Sequence, residues 1–264
     1  LEILRKNKVE FDEKYLFDFQ DSEGNDRKEL GLPYNQNELI SALAKANKNF
    51  AVLMVSGNAV AMPWVKEVPS IVQAWYLGSE SGNAIASILA GDANPSGKLP
   101  FTFPVKLEDN AAHAVGEYPG NKEELALGKG KDQQNPINIT YNESILVGYR
   151  WHDTKNIKPL FSFGHGLSYT TFEIGQAKAD KTNITENETI TFTIPVKNTG
   201  KKAGAEVVQL YVSDLKSSVL RPAKELKGFE KVYLNPGETK NVTITIDKSA
   251  LSYFDAEKHD WVAE

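Results

Sequence analysis

Helical and strand patterns alternate in the first part of the chain. Phe50–Ser56 and Ser70–Tyr76 are short continuous apolar runs, which are typical of strands buried on both faces of a sheet. Apolar residues at helical spacing predict one helix over Asn37–Ala46 and another over Glu80–Ala90. This alternation predicts an α/β three-layer sandwich with a mainly parallel sheet.

Residues at the ends of these helices support the assignment. Asn35 is suited to the N-cap of the first helix, and Glu38 follows three residues later, as in a capping box. The second helix is expected to end at Gly91, with Pro95 beyond it. A further short helix is expected around Ala61–Val65.

After Gly166 the period of the apolar positions changes to two. Asn198-Thr-Gly200 and Asn235-Pro-Gly237 are turn signals between the alternating segments. The predicted strands are Thr171–Ala177, Thr189–Val196, Glu206–Ser213, Leu226–Leu234, Asn241–Ile246 and a short piece at Trp261–Ala263. Short alternating strands at this spacing predict an all-β immunoglobulin/fibronectin III-like sandwich. The predicted domains are therefore 1–165 and 166–264.

This count leaves the β-sandwich without its usual last strand. An open sheet would leave backbone groups unpaired beside Val208, Leu210 and Val212. We therefore expect on the order of 15–25 further residues after Glu264 in the native protein. Between the two predicted domains, Lys106–Asn138 is polar with little periodicity, so it is interpreted as a long loop.

Composition excludes several classes of function. The net charge is −5 without a basic segment, which argues against nucleic-acid binding. The longest apolar stretch, Phe50–Val55, is far shorter than the roughly 20 residues of a membrane span. The chain has no cysteine, and its histidines do not form an i, i+4 pair, so no metal site is expected.

Two segments approach known catalytic or binding motifs without completing them. Gly78-Ser-Glu-Ser-Gly82 has glutamate where a nucleophile elbow has serine, and Glu80 is suited to a helix N-terminus. Asp21-Ser-Glu-Gly-Asn-Asp26 has its glycine too early for an EF-hand loop. Spacing alone favours a solvated acidic turn here, the alternative being a glutamate on a mobile loop held by Arg27.

Several motifs taken together resemble the C-terminal half of glycoside hydrolase family 3, the β-glucosidase/β-xylosidase family. The resemblance covers Ser22 to the end of the chain, and the motifs occur in the family's order. They are Ser22-Glu-Gly-Asn-Asp-Arg27 with Leu32-Pro33 and Gln36, Gly78-Ser-Glu-Ser-Gly82, Asn94-Pro-Ser-Gly-Lys-Leu-Pro-Phe-Thr-Phe-Pro104, Val147-Gly-Tyr-Arg150, Phe163-Gly-His-Gly-Leu-Ser-Tyr169, Asn198-Thr-Gly200, Ala203-Gly204 and Leu226-Lys-Gly-Phe229.

The resemblance implies the role of general acid/base for Glu23. In this family the active site lies between an N-terminal (β/α)8 barrel, which supplies an aspartate nucleophile, and the α/β sandwich, whose loop supplies the acid/base glutamate. The acid must stay protonated near neutral pH, which closure of a low-dielectric cleft favours. Asp26 or Arg27 is expected to support the loop, and Asp21 and Glu29 are the rival candidates.

The chain also departs from the family pattern. It has no barrel and therefore no nucleophile, and Leu1–Phe19 is highly charged for the buried strand expected there. Ser144 stands where the family usually has glycine, and His165 stands where it usually has another aromatic residue. We therefore interpret the chain as a piece of an enzyme that is inactive alone.

The expected function is that of an exo-acting retaining β-glycosidase that removes terminal β-linked sugars, with glucose the expected sugar. Its partners would be an oligosaccharide or β-glucoside substrate and the N-terminal barrel domain of the same protein. A homodimer is possible in this interpretation, and no cofactor is expected. The expected location is periplasmic or secreted. The alternative is a non-catalytic carbohydrate-binding or scaffolding module. An upstream barrel with a nucleophile segment would favour the enzyme.

Overall fold

The computed structural model describes residues 29–263 except 117, 119, 121 and 128–135. The chain divides between Ser79 and Glu80 into two compact units. The predicted domain boundary after residue 165 stays a prediction.

The first unit contains one helix and a parallel pair of strands. Helix α1 spans Gln36–Ala46, and its buried residues are Ile40 and Ala44, which lie one turn apart on the same face. Strands β1 (Ala51–Met54) and β2 (Ser70–Gln73) pair in parallel. The predicted parallel pairing of the two apolar runs is therefore confirmed.

Burial of β1 differs from the prediction. Val52 and Met54 are buried, whereas Ala51 and Leu53 are exposed, so burial alternates along the strand. The prediction that this strand is buried on both faces is wrong for the described residues. A continuous apolar run alone cannot show whether one or both faces of its sheet are covered.

One local prediction in the first unit is confirmed only in part, and another is wrong. Asn35 occupies the N-cap position of α1 as predicted, but its side chain makes no capping hydrogen bond, because its backbone (φ −94°, ψ 29°) departs from the extended conformation that N-caps usually adopt. The short helix expected around Ala61–Val65 is a series of turns closed by Val65 N–H to Met62 O and Glu67 N–H to Trp64 O. Pro63 lacks an N–H and disfavours helical geometry in the preceding residue, which explains the turns.

The second unit begins with helix α2 (Ser81–Ala90). Glu80 occupies its N-cap position, and Gly91 ends the helix with a left-handed φ of 81°, as predicted. The Glu80 carboxylate accepts a 2.6 Å hydrogen bond from the Asn83 amide. Glu80 therefore has the structural position expected for it.

Short helices follow within the stretch that was interpreted as a loop. They are a 3-10 turn (Leu107–Asp109), α3 (Ala111–Ala114) and α4 (Lys122–Ala126), with α5 (Tyr149–Thr154) beyond them. Ala111, Leu146 and Trp151 form a small buried cluster that joins α3 to α5. The described part of Lys106–Asn138 is thus partly helical. The sequence did not predict these helices, because elements this short contain too few residues to show a helical period.

The rest of the second unit is rich in strands. The strands are β3 (Phe172–Ile174), β4 (Lys178–Ala179), β5 (Ile190–Asn198), β6 (Gly204–Val212), β7 (Glu225–Leu234), β8 (Thr239–Ile246), β9 (Tyr253–Asp255) and β10 (Asp260–Val262), with the single-turn helix α6 (Lys248–Leu251) after β8. Every pairing among these strands is antiparallel in the described residues. The four long strands confirm the predicted segments. The predicted first strand, Thr171–Ala177, is shorter than expected, because β3 ends at Ile174, and the separate strand β4 begins only after it, at Lys178.

One apolar core joins the two main sheets. Strand β5 pairs with β8, β3 and β4, and β6 pairs with β7. Buried side chains from both sheets form the core: Ile194, Val196, Val208, Leu234, Val242, Ile244, Ile246 and Ala250. Leu210 and Val212 pack against this core, so the inner face that was expected to be exposed beside them is covered.

Candidate functional site

The residues predicted to act in catalysis lie before the described part of the chain. Glu23, Asp26, Arg27 and the rival Asp21 are outside the described residues. Glu29, the other rival, is the first described residue and is exposed. The role of Glu23 therefore stays a prediction, and what the structure adds is how the chain immediately after it is held.

The segment that follows the predicted acid/base loop is anchored to the turns at 61–67. The Leu30 carbonyl accepts a 2.8 Å hydrogen bond from the Ala61 N–H. The side chain of Asn37 accepts a 2.8 Å bond from the indole N–H of Trp64, which is fully buried. These bonds hold the segment from Leu30 to Asn37 on a packed part of the first unit.

The backbone between these anchors is strained at one point. Tyr34 has a φ of 58°, in the left-handed region that costs a non-glycine residue about 1–2 kcal/mol. Such a conformation persists when the surrounding structure holds it, and it is concentrated at functional segments. The anchors at Leu30 and Asn37 flank Tyr34 and supply that restraint.

The motifs of the second unit meet at a junction between its helical part and the β-sandwich. Asn94 is the centre of this junction. Its carbonyl oxygen accepts hydrogen bonds from the Ser168 hydroxyl and the Tyr169 N–H, both at 2.8 Å, and its amide donates to the Ala203 carbonyl at 2.9 Å. One side chain thereby joins three of the motifs that were recognised in the sequence.

Lys98 makes a second link in the same junction. Its ammonium donates to the Gly166 carbonyl at 2.7 Å and pairs with the Glu206 carboxylate at 2.6 Å. The backbone beside it is bonded from Leu99 N–H to the His165 carbonyl at 2.8 Å. Residues 95–99 are therefore held against the segment around His165 by more than one hydrogen bond.

His165 keeps the aromatic role expected at its position. Its ring stacks on Phe161 with centroids 5.2 Å apart and an interplanar angle of 25°. Burial, together with the nearby Lys98 ammonium, lowers the pKa of His165 below its ordinary value. A neutral, stacked imidazole replaces the family's usual aromatic ring without adding a charge.

Tyr149 and Arg150 fasten α5 to strand β7. The Tyr149 hydroxyl accepts a 2.8 Å hydrogen bond from the Leu226 N–H, and its ring stacks on Phe163 with centroids 4.9 Å apart. Arg150 pairs with Glu225 at 3.2 Å. The Val147-Gly-Tyr-Arg150 motif thus supplies both an aromatic and an ionic contact to the β-sandwich.

Glu225 is surrounded by cations. Arg221 lies at 2.9 Å, Arg150 at 3.2 Å and Lys227 at 3.5 Å from its carboxylate oxygens. Burial favours the protonated acid, but the hydrogen bond from Arg221 and the charges of Lys227, Arg150 and Arg221 outweigh it. The pKa of Glu225 consequently lies below its ordinary value.

Asn198 explains the Asn-Thr-Gly motif. Its fully buried amide donates to the carbonyls of Lys202 and Leu234 at 2.8 and 3.1 Å, and its oxygen accepts from the Thr170 hydroxyl and the Gly200 N–H. Every hydrogen-bonding position of this side chain is used, so its role is to fix the turn between β5 and β6.

These motifs therefore support structure, and the predicted catalytic carboxylate lies elsewhere in the chain. Sequence reasoning used them to identify a resemblance but assigned them no contacts, because partners 70 to 110 positions away leave no local pattern. Among residues 29–263 with the stated gaps, no group of three His, Cys, Asp or Glu side chains could hold a metal ion. In that same part of the chain, no helix has the length and apolar character needed to cross a bilayer.

Comparison with known families and proteins gives consistent matches. Residues 9–169 match the glycosyl hydrolase family 3 C-terminal domain, and residues 206–264 match a fibronectin type III-like domain. Beta-glucosidase BoGH3A of Bacteroides ovatus is 54% identical over 248 residues, which cover 93% of this chain and 31% of that protein. Thermostable beta-glucosidase B of Acetivibrio thermocellus is 47% identical over 249 residues, covering 94% of this chain and 31% of that protein.

A solved structure supports the same fold. DesR, a beta-glucosidase from Streptomyces venezuelae in complex with D-glucose, superposes with a TM-score of 0.80 at 40% identity, covering 91% of this chain and 29% of that one. The chain thus spans about a third of the length of these relatives. The predicted fold class, an α/β sandwich followed by a fibronectin III-like sandwich, is confirmed.

Proposed function

Because the chain belongs to glycoside hydrolase family 3, we propose that it is the part of an exo-acting retaining β-glucosidase that carries the general acid/base, Glu23. The observation that supports this most directly is the family match over residues 9–169, which includes Ser22-Glu-Gly-Asn-Asp-Arg27. Relatives at 54% and 47% identity are beta-glucosidases, which favours glucose as the sugar removed.

The reaction needs two carboxylates. A nucleophilic aspartate of the upstream barrel attacks the anomeric carbon, while Glu23 protonates the leaving glycosidic oxygen. Glu23, now ionised, then takes a proton from the water that hydrolyses the glycosyl-enzyme intermediate. No cofactor takes part in either step.

The anchored segment after Glu23 supports this role physically. A general acid must reach the leaving oxygen to within about 2.6–3.2 Å, so its loop needs a fixed end. Leu30 and Asn37 provide that end through their bonds to Ala61 and Trp64. Asp26 and Arg27 are proposed to hold the remainder of the loop.

The wider assignments follow from the same proposal. The substrate is a β-glucoside or oligosaccharide with a terminal β-linked sugar, the main partner is the N-terminal barrel of the same protein, and the location is periplasmic or secreted. A non-catalytic carbohydrate-binding or scaffolding module remains the alternative. The sequence upstream discriminates between them, since only the enzyme requires a barrel with a nucleophile.

The acid/base assignment is tested by substituting Glu23→Gln in the full-length protein. Substrates with poor leaving groups, such as cellobiose, should lose far more activity than nitrophenyl glucosides, because nitrophenolate departs without a proton. General acid catalysis contributes about 10²–10⁴-fold, which sets the expected loss on cellobiose. Added azide should partly restore turnover of the nitrophenyl substrate and give β-glucosyl azide.

Asp21→Asn and Glu29→Gln are the matched controls, because they remove neighbouring carboxylates from the same segment. Neither should show the leaving-group dependence or the azide product. If Glu23→Gln slows both substrates equally without azide product, while one of the controls shows the pattern, the acid/base role belongs to that residue instead.

A further inference from the structure

A cleft in the second unit lies between the end of α2 and the strands β6 and β7. Its volume is about 780 Å³, within the range of about 300–1,000 Å³ that is typical of ligand pockets. Asp92, Ser96, Lys202, Lys231 and Tyr233 are among the residues that line it. None of these residues belongs to the predicted catalytic loop.

Several polar groups in the cleft are available for a ligand. Asp92, Ser96 and Lys231 make no side-chain hydrogen bond or ion pair with another described residue. They offer a carboxylate that accepts, a hydroxyl that both donates and accepts, and an ammonium that donates. Such a mixture matches a ligand that carries many hydroxyl groups.

Tyr233 provides an aromatic surface in the same cleft. It lies on β7, and 57% of its surface is exposed. Its cross-strand partner is Ala205, and Gly204 and Ala203 precede that residue, so only small side chains stand opposite the ring. The face of the ring is therefore open to a flat apolar partner.

Lys202 is held at the edge of the cleft. Its ammonium lies over the Tyr169 ring at 5.6 Å from the centroid, and it is close to Gly91 at the C-terminal end of α2. The negative end of a helix dipole and an aromatic face both stabilise an ammonium there. With Asp92 opposing the two lysines, the cleft does not carry the concentrated positive charge that an anionic ligand would select.

We propose that this cleft binds a neutral β-linked saccharide chain, with a pyranose ring stacked on Tyr233. The C–H face of a pyranose is apolar and packs on an aromatic ring, while its hydroxyls reach Asp92, Ser96 and Lys231. The cleft is open at the surface and large enough for more than one sugar, so it suits an internal segment of a chain. This inference goes beyond the proposed hydrolysis and does not depend on Glu23; only the β-linkage of the saccharide rests on the proposed function.

Native gel electrophoresis of the full-length protein in soluble mixed-linkage β-glucan tests the proposal. This polysaccharide has few chain ends, so retardation reports binding to internal segments. The wild-type protein should be retarded, and Tyr233→Ala should weaken the apparent affinity at least about tenfold, since one aromatic anchor commonly dominates binding. Tyr233→Phe should retain most of the retardation because it keeps the ring.

Phe229→Ala is the matched control, because Phe229 is an aromatic residue on β7 that is somewhat more exposed than Tyr233 and does not line the cleft. It should be retarded like the wild type. Glu23→Gln should also be retarded normally, which separates this inference from the catalytic one. Thermal unfolding of each variant in the absence of glucan shows whether it is folded.

The proposal is overturned if the wild-type protein migrates unretarded in β-glucan. It is equally overturned if folded Tyr233→Ala is retarded as strongly as the wild type, or if Phe229→Ala loses as much affinity as Tyr233→Ala. Retardation by polygalacturonate but not by β-glucan would show that the cleft selects anions instead.

Discussion

At the scale of single residues, a few polar side chains connect segments that are distant in sequence. Asn94, Asn198 and Glu225 each contact several partners; Asn198 is fully buried, and the other two are partly buried. Their residue types were visible in the sequence as parts of motifs. Most of their contacts were not visible, because partners such as Ala203 for Asn94 and Arg150 for Glu225 lie far away in the sequence and leave no local pattern.

Ser144 is strained where the family usually has glycine. Its φ of 55° lies in the left-handed region, which glycine adopts without a steric penalty. Ser144→Gly should increase the free energy of unfolding by about 0.5–1 kcal/mol, the relieved strain being partly offset by the greater freedom of glycine in the unfolded chain. Urea denaturation followed by circular dichroism measures the change.

Asn156→Gly is the control for this prediction. Asn156 has nearly the same φ, 54°, but asparagine tolerates this region better than serine does. Its substitution should therefore gain less stability. A lower free energy of unfolding for Ser144→Gly would show that the serine side chain stabilises the turn by more than the strain costs.

Glu225 should make stability depend on acid pH. Its pKa in the folded protein is below the ordinary value of 4.5, so the unfolded state takes up the proton first as the pH falls. The stabilisation is therefore complete above pH 4.5 and is lost as the pH falls through the folded-state pKa. Melting temperatures of Glu225→Gln measured from pH 7 to pH 3 should fall less steeply with acid than those of the wild type.

Glu230→Gln is the matched control, because Glu230 is an exposed carboxylate on the same strand. It should retain the acid dependence of the wild type. If the melting temperatures of Glu225→Gln and the wild type fall equally steeply between pH 7 and pH 3, the cations around Glu225 contribute no pH-dependent stability.

At the scale of elements, the long strands and helices follow from periodicity, and the short ones do not. Four strands of eight to ten residues agree with the predicted segments. The turns at 61–67 and the short helices between 107 and 126 were missed or misassigned. Elements of three to five residues show less than one and a half helical turns, so tertiary contacts decide their conformation.

Close backbone approach at Gly166 gives a prediction at this scale. A Cβ at Gly166 would collide with the carbonyl oxygen of Gly97, which is backbone and cannot move aside cheaply. Gly166→Ala should therefore separate the two segments that Lys98 and Leu99 join, and it should lower the free energy of unfolding by about 2–3 kcal/mol. Denaturant unfolding monitored by tryptophan fluorescence measures the loss.

Gly97→Ala is the corresponding control on the facing segment. Nothing lies within 4 Å of a Cβ at Gly97, and its φ is outside the left-handed region. Its stability should stay within about 0.5 kcal/mol of the wild type. Equal losses for the two variants would show that chain flexibility, and not the contact with the Gly97 carbonyl, is what glycine provides.

At the scale of the whole molecule, the predicted order of folds is confirmed, while the catalytic site is not tested. The change of period near Gly166 and the ordered motifs were sufficient to predict both folds, because each depends on many residues. The site depends on a single carboxylate in a loop without periodicity. Its assignment to Glu23 came from resemblance and could not come from physical pattern alone.

The 264-residue chain alone should not hydrolyse nitrophenyl β-glucosides at enzyme-like rates. It spans about a third of its relatives, and the proposed mechanism takes the nucleophile from the missing part. Release of nitrophenolate by the purified chain should stay close to the uncatalysed rate, with the full-length protein as the positive control. Rapid turnover by the chain alone would show that it holds a complete catalytic set.

The bond from Asn94 to the Ala203 carbonyl has a consequence for synthesis on the ribosome. Its two residues are separated by 109 positions, so Asn94 emerges long before its partner does. Until β6 has left the exit tunnel, the segment around Asn94 cannot dock on the β-sandwich, and the apolar surface of such an incompletely packed chain stays exposed to aggregation and to chaperones. A nascent chain that terminates between these residues would be degraded early, and a split version of the protein should not be divided there.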